Sequence, residues 1–156
     1  MQYIHKTYKQ NFGNSAFTMI EMVFVIVVLG ILAAIAVPRL AVTRTDATIT
    51  KGRSDVASIR SAIITERQSR LIQGDSSFIA TGAGTGQLDD GGLFGGVLTY
   101  PITDSATEGH WTEIASDVNT TTYKFKILNI DNTFVYQRSD GTFNCTAGTY
   151  CSALTD

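Results

Sequence analysis

The sequence predicts an α+β protein in which one long N-terminal helix, membrane-spanning in its first half, packs on a small antiparallel β-sheet. Three observations carry this. Residues 22–37 contain no charged or strongly polar side chain, residues 42–63 repeat apolar or small positions at helical spacing, and residues 121–146 alternate apolar with polar side chains between turn signals. A chain of 156 residues has room for one modest domain beside such an apolar segment.

The apolar run comes first. Counted from Phe17 to Val37 it is interrupted only by Thr18 and Glu21, and at about 1.5 Å per residue it crosses a hydrocarbon core of about 30 Å. Lys6 and Lys9 precede it without opposing acids and favour a cytoplasmic N-terminus, although Arg39 and Arg44 beyond it weaken that asymmetry. A carboxylate at the centre of a membrane helix costs about 2.5–3.5 kcal/mol on insertion scales, and less near the interface. Glu21 therefore either sits at headgroup level or requires a compensating charge, and the residues alone leave both readings open.

The stretch Ala16-Phe17-Thr18-Met19-Ile20-Glu21, followed at once by the apolar run, resembles the prepilin motif of type IV pilins and type II secretion pseudopilins. The resemblance implies a pilin-like fold, cleavage between Ala16 and Phe17 by a prepilin peptidase, removal of residues 1–16 as a leader, and N-methylation of Phe17. It also implies that Glu21 meets the Phe17 ammonium of a neighbouring subunit, so that an acid costly in lipid is neutralised only in correct axial register. The family usually has Gly where this chain has Ala16 and Leu where it has Met19. Both changes conserve size and apolarity well enough to keep the motif, with slower processing as the expected cost. Gly30 and Pro38 match positions where pilin helices loosen during assembly. Pro38 removes an amide donor, Gly30 lowers helix propensity by about 1 kcal/mol, and a kink or local melting between them is expected. Gly30 and Ala34 form a small-xxx-small pair suited to close helix contact.

A secretory signal peptide is the rival reading. Ala34-Ile35-Ala36 fits the small-x-small pattern, and cleavage there would release a soluble binding protein starting at Val37. The acid placed just before the apolar core, and a helical pattern that continues past the cut, argue against it.

Beyond Pro38 the chain stays helix-compatible to Gln73. Val42, Ile49, Gly52, Val56, Ile59 and Ile63 form one stripe, and Arg44, Asp46, Lys51, Arg53, Asp55, Arg60, Arg67 and Arg70 form a face expected to be solvated. Gly74-Asp75 stops the helix. Residues 74–96 read as a Gly/Ser/Thr-rich loop. Its glycines lack the following Lys and preceding strand of a nucleotide loop, and Asp89 with Asp90 offers too few oxygens for a strong Ca²⁺ site. Strands are expected at 121–130, 133–139 and 142–146, with turns at Asp131-Asn132 and Asp140-Gly141 and an earlier strand at 96–102. His110 and Trp111 are assigned to the core or its rim. Cys145 and Cys151 would pair in an oxidising compartment, with loop closure contributing about 2–3 kcal/mol. No second Cys/His pair stands at zinc spacing, and His5 and His110 are distant.

The organisation expected is a leader at 1–16, a transmembrane or filament-core helix at 17–38, its amphipathic continuation at 39–73, and a loop-plus-sheet head at 74–156. The net charge of −2 becomes −4 once Lys6 and Lys9 leave with the leader, which gives no reason to expect tight DNA binding. No catalytic constellation is evident and no cofactor is expected. The sequence therefore reads as a non-enzymatic filament subunit, anchored in the inner membrane of a bacterium by a single pass with its head in the periplasm. Its expected partners are copies of itself, other pilin-like subunits, the prepilin peptidase and the inner-membrane assembly machinery. Surface pilus, secretion pseudopilus and DNA-uptake pseudopilus all fit the motif. The small head and the tight cysteine ring lean towards a type II secretion pseudopilin. An exported substrate or nucleic acid, met through residues 74–96 or through Lys124 and Lys126, is the binding-module alternative.

Overall fold

The computed structural model describes residues 17–156, with the backbone alone at residues 38–42. The leader, including Ala16, Lys6, Lys9 and His5, and the side chains of Pro38, Arg39 and Val42 lie outside the described residues. The described chain divides into two units, a first that ends at Leu40 and a second, Ala41–Asp156. Helix α1 (Met19–Ile72) contributes to both. The second unit adds β1 (Trp111–Ser116), β2 (Thr120–Ile127), β3 (Ile130–Gln137), β4 (Thr142–Ala147) and the short α2 (Cys151–Thr155). The four strands form one antiparallel sheet in the order β1-β2-β3-β4. The architecture is α+β and pilin-like: an N-terminal apolar helix, its helical continuation and a small antiparallel sheet.

In the second unit the helical stripe does what its spacing dictates. Gly52, Val56, Ile59 and Ile63 are buried, and Ile49 packs at the margin. The sheet meets them with its alternate residues: Trp111 from β1, Tyr123, Phe125 and Ile127 from β2, Phe134 and Tyr136 from β3, and Phe143 from β4. Each large apolar side chain so buried contributes about 1.5–3 kcal/mol of transfer free energy. The rings pack at angles: Trp111 lies 4.9 Å from Phe125 and 5.1 Å from Phe134 between ring centroids. At Gly52 helix and sheet come close. A Cβ there would stand 2.5 Å from Phe125 Cε1 and 2.6 Å from Leu154 Cδ2 of α2.

Polar side chains flanking the stripe bind the rest of the unit, which corrects the expectation of a merely solvated face. Arg60 Nε donates to Phe143 O at 2.9 Å, both Nε and Nη2 of Arg53 donate to Ala153 O, and Lys51 donates to Gly109 O. Asp55 accepts the Trp111 indole N–H at 3.0 Å. The Arg67 guanidinium lies 3.8 Å from the centre of the Phe78 ring. Only the outer members of the face remain to water.

Three expectations about the sheet are corrected. The segment 96–102 is not a strand. It is turn structure, with a single antiparallel bridge from Leu93 to Ile102, because its amides are spent on local turns, Gly95 donating to Gly92 O and both Val97 and Leu98 to Phe94 O. A strand missing from the expectation, β1, pairs along β2 and places Trp111 in the core. The β2–β3 turn falls at Leu128-Asn129, not at Asp131-Asn132, and is closed by the pair Ile127 and Ile130. Leu128 and Asn129 have φ of 50° and 60°, the primed-turn geometry usual for Gly or Asn. Glu108 holds them there, its two carboxylate oxygens accepting from the Leu128 and Asn129 amides. The turn lies three residues earlier than expected, yet the alternation along each strand still turns Tyr123, Phe125, Ile127, Phe134 and Tyr136 inward.

Residues 74–105 cross the top of the core without regular structure, yet Ile79, Leu88, Leu93 and Phe94 are buried. Tyr136 Oη donates to Ile79 O at 2.9 Å. Asp89, only 3% exposed, accepts from the Phe94 amide at 2.7 Å and from Tyr123 Oη at 2.6 Å, so one carboxylate ties this segment to the sheet.

Gly52→Ala gains helix propensity but forces Phe125 and Leu154 apart. A net destabilisation of about 1–3 kcal/mol is expected, read by urea unfolding of the full chain in detergent with the single tryptophan, Trp111, as reporter. An unchanged midpoint would mean that the helix–sheet contact is looser than its geometry.

Candidate functional site

The candidate site is the start of α1. Thr18 precedes the first helical residue, and the sequence Thr18-x-x-Glu21 has the form of a capping box. The Glu21 amide lies 3.3 Å from Thr18 Oγ1 and 3.1 Å from Thr18 O, and the Met22 amide donates to Thr18 O at 3.2 Å. Thr18 thus caps the helix, a role that sequence reading centred on the cut site passed over although the motif was visible. Glu21 stands in the first turn, where a carboxylate is favoured by the helix dipole. Phe17 is 71% exposed immediately before the cap.

From Met19 to Val37 the helix is long and apolar enough to cross a membrane, with a mean hydropathy of 2.9, and none of that span is buried by the rest of the described chain. Gly30 lies in this span, and among the described residues nothing lies within 4 Å of a Cβ added there, so no described neighbour requires its smallness. The helical backbone continues unbroken through Gly30 and Pro38. The structure therefore brings Phe17, Glu21 and Gly30 onto one helix start and shaft, while Ala16 and the ring of Pro38 lie outside what it describes.

Cys145 on β4 and Cys151 at the start of α2 are joined by a disulfide with Cα atoms 5.5 Å apart. The loop between them is also held by a buried amide. Asn132 Nδ2 donates to Phe125 O and Ile130 O, and its Oδ1 accepts the Tyr150 amide at 2.9 Å. Gly148, at φ 134°, passes so near that a Cβ would stand 2.4 Å from Asn132 Oδ1. A residue read as a turn former is thus the pin of the cysteine loop.

The remaining sequence candidates have structural employment. Both Asp89 oxygens are committed as described above, and Asp90 Oδ2 accepts the Gly86 amide. Among the described residues no group of three or more His, Cys, Asp or Glu is arranged to hold a metal ion. Lys124 and Lys126 both approach Asp131, at 2.9 and 3.9 Å. His110 is exposed, its Nδ1 2.9 Å from the Glu108 carbonyl. Burial holds the Asp89 carboxyl above its ordinary range, partly offset by its two hydrogen bonds, and burial beside Asp89 pushes the Tyr123 phenol far up.

Residues 11–37 match the family model described as the prokaryotic N-terminal methylation motif. The match spans the helix start and the apolar shaft and supports recognition of the chain as a member of the type IV pilin and pseudopilin family. No curated protein and no solved structure gives a significant match.

The raised Asp89 carboxyl makes a signed prediction. A group whose folded value lies above its unfolded one adds stability at pH below the unfolded value and loses it as pH rises through the folded value. Asp89→Asn keeps an acceptor for the Phe94 amide and removes the titration. Urea titrations are expected to show the variant gaining on the wild type as pH rises above the ordinary carboxylate value of about 4 and through the raised folded value, while Asp89→Ala loses about 1–3 kcal/mol throughout. A pH-independent gap between wild type and Asp89→Asn would contradict this.

Proposed function

We propose that this chain is a non-enzymatic structural subunit of a type IV pilus-like filament, of the pseudopilin kind that serves type II secretion. In this reading a prepilin peptidase cuts between Ala16 and Phe17 and Phe17 is N-methylated. The subunit then waits as a single-pass protein of the inner membrane with its sheet unit in the periplasm, until the assembly machinery withdraws it into a filament of its own copies and other pilin-like subunits.

The observation that carries the reading is the bare apolar helix of Met19–Val37 within a chain that bears the methylation motif. Water does not tolerate such a surface, so lipid must cover it before assembly and other helices after it. Each large apolar side chain transferred from water to such cover is worth about 1.5–3 kcal/mol, but transfer from lipid to helix is nearly neutral and needs close packing and polar pairing. The unused smallness of Gly30 serves the first need, and Glu21 facing a neighbour's Phe17 ammonium serves the second. The preference for a pseudopilin rests on the small sheet unit and the tight Cys145–Cys151 ring.

Mass spectrometry of the mature chain is expected to read an N-terminal methylated Phe17. A start at Val37 would instead support the secreted alternative. Glu21→Gln removes the charge and leaves the Thr18 cap in place, so insertion and processing should proceed while incorporation into filaments falls by about tenfold or more. Wild-type filament yield from this variant would exclude the charge pair, and long surface fibres on overexpression would exclude the pseudopilin assignment.

A further inference from the structure

Two asparagines stand two residues before a threonine with no proline between, the form that N-linked glycosyl transfer requires: Asn119-Thr120-Thr121 and Asn144-Cys145-Thr146. Only the first also has an acid two residues ahead of the asparagine, Asp117, where the second has Thr142. Bacterial transferases of this class add such an acid to the requirement.

The fold separates the two further. Residues 117–119 form the tip of the hairpin between β1, an edge strand of the sheet, and β2. Asn119 is exposed there beside Val118, itself 73% exposed. Its backbone is fixed, the amide donating to Asp117 Oδ1 and the carbonyl accepting from the Arg138 amide, both at 2.8 Å. Among the described residues its side-chain amide has no hydrogen-bond partner, so a bulky group on it displaces nothing. Asn144 is placed otherwise. Its Oδ1 lies 3.4 Å from Arg60 Nη2, Cys145 after it is held in the disulfide, and Thr146 Oγ1 donates to Thr133 O at 3.3 Å.

The last residue of the first motif sets when the reaction can occur. Thr121 is fully buried, its Oγ1 3.0 Å from Ser116 Oγ. That hydroxyl is the group a transferase must hold to present the asparagine, and the closed hairpin hides it. Only a chain in which β1 has not yet paired with β2 offers all three residues at once.

We propose that Asn119 is an N-glycosylation site, modified as the second unit emerges across the membrane and before β1 closes on β2. This rests on the export of that unit in the reading above. The donor is a glycan carried on a polyprenyl diphosphate. Asn119 Nδ2 attacks the anomeric carbon, a C–N bond forms there as the bond to the diphosphate oxygen breaks, the lipid diphosphate leaves, and the displaced amide proton passes to a base of the transferase. Nothing is oxidised or reduced. The folded hairpin then carries the glycan at its exposed tip.

Mass spectrometry of the full chain and its peptides, purified from the cells that make it, tests this. The peptide spanning Asn119 is expected to carry a glycan mass and to release sugar fragment ions, while the peptide spanning Asn144 is bare. The added mass should vanish in Asn119→Gln and in Thr121→Val, which keeps the branched shape of the buried side chain without its hydroxyl, and persist in Thr121→Ser. A bare Asn119 in the wild-type chain, or a glycan mass that survives Asn119→Gln on the same peptide, overturns the proposal. Bare Asn119 together with a methylated Phe17 leaves the filament reading standing, whereas bare Asn119 on a chain with an unprocessed N-terminus removes both.

Discussion

The second unit depends on how near α1 approaches the sheet at Gly52. A side chain there would press on Phe125 and on Leu154 of α2, in the same core that the rest of the stripe enters. With the helix so close, Val56, Ile59 and Ile63 interdigitate with Trp111, Phe134 and Phe143 in a single core. The same closeness brings the cationic side chains flanking the stripe within reach of carbonyls on β4 and α2. Arg53 and Arg60, seven residues apart on one flank of the stripe, therefore act as struts along one side of the apolar seam, donating to Ala153 O on α2 and to Phe143 O on the edge strand β4, acceptors that would otherwise require water.

A core of this size leaves little surplus apolar surface for fixing the long segment between α1 and β1, and buried polar groups supply what is missing. Asp89, Tyr123 and Tyr136 tie that segment to the sheet, as Asn132 ties the cysteine loop. Such groups stabilise only when every partner is in place, because an unmatched donor or acceptor in the core carries its full desolvation cost. Among the described residues no buried side-chain nitrogen or oxygen lacks a partner. The irregular segment is consequently as specified as the sheet, despite its glycines and the absence of a repeating pattern.

This division explains what could be read from sequence. The helix, its buried stripe and the inward residues of β2 and β3 follow from periodicity, which is a local property of the chain. What escaped was set by long-range partners. Asp131 and Asn132 look like turn residues by type, but the turn lies at Leu128-Asn129 because Glu108, twenty positions earlier, supplies its acceptors. Strand β1 lacks clean alternation because a bulge between Glu113 and Ala115 breaks its pairing with β2. Of the candidate site, the apolar run, Glu21 and the cysteines were legible by composition and spacing. The cap formed by Thr18 was legible too, but the cut-site motif occupies the same residues and drew the reading to itself.

That overlap has a physical consequence for the proposed filament. Cleavage before Phe17 would leave an ammonium one residue ahead of the Thr18 cap, beside the positive end of the helix dipole, where a cation is disfavoured. The nearest compensating charge in the same chain is Glu21, three residues beyond the cap. A neighbour's Glu21 must therefore compete with the subunit's own for the same ammonium, and the drive for register is the difference between the two pairings, not the full strength of either. In lipid that difference is enlarged, because an assembled array can satisfy every ammonium and every carboxylate at once while an isolated subunit must bend its first turn to do so. In the proposed filament capping and pairing would then be linked: Thr18 fixes the first turn that carries Glu21, and so would set where that acid stands relative to its own terminus and to the next chain's.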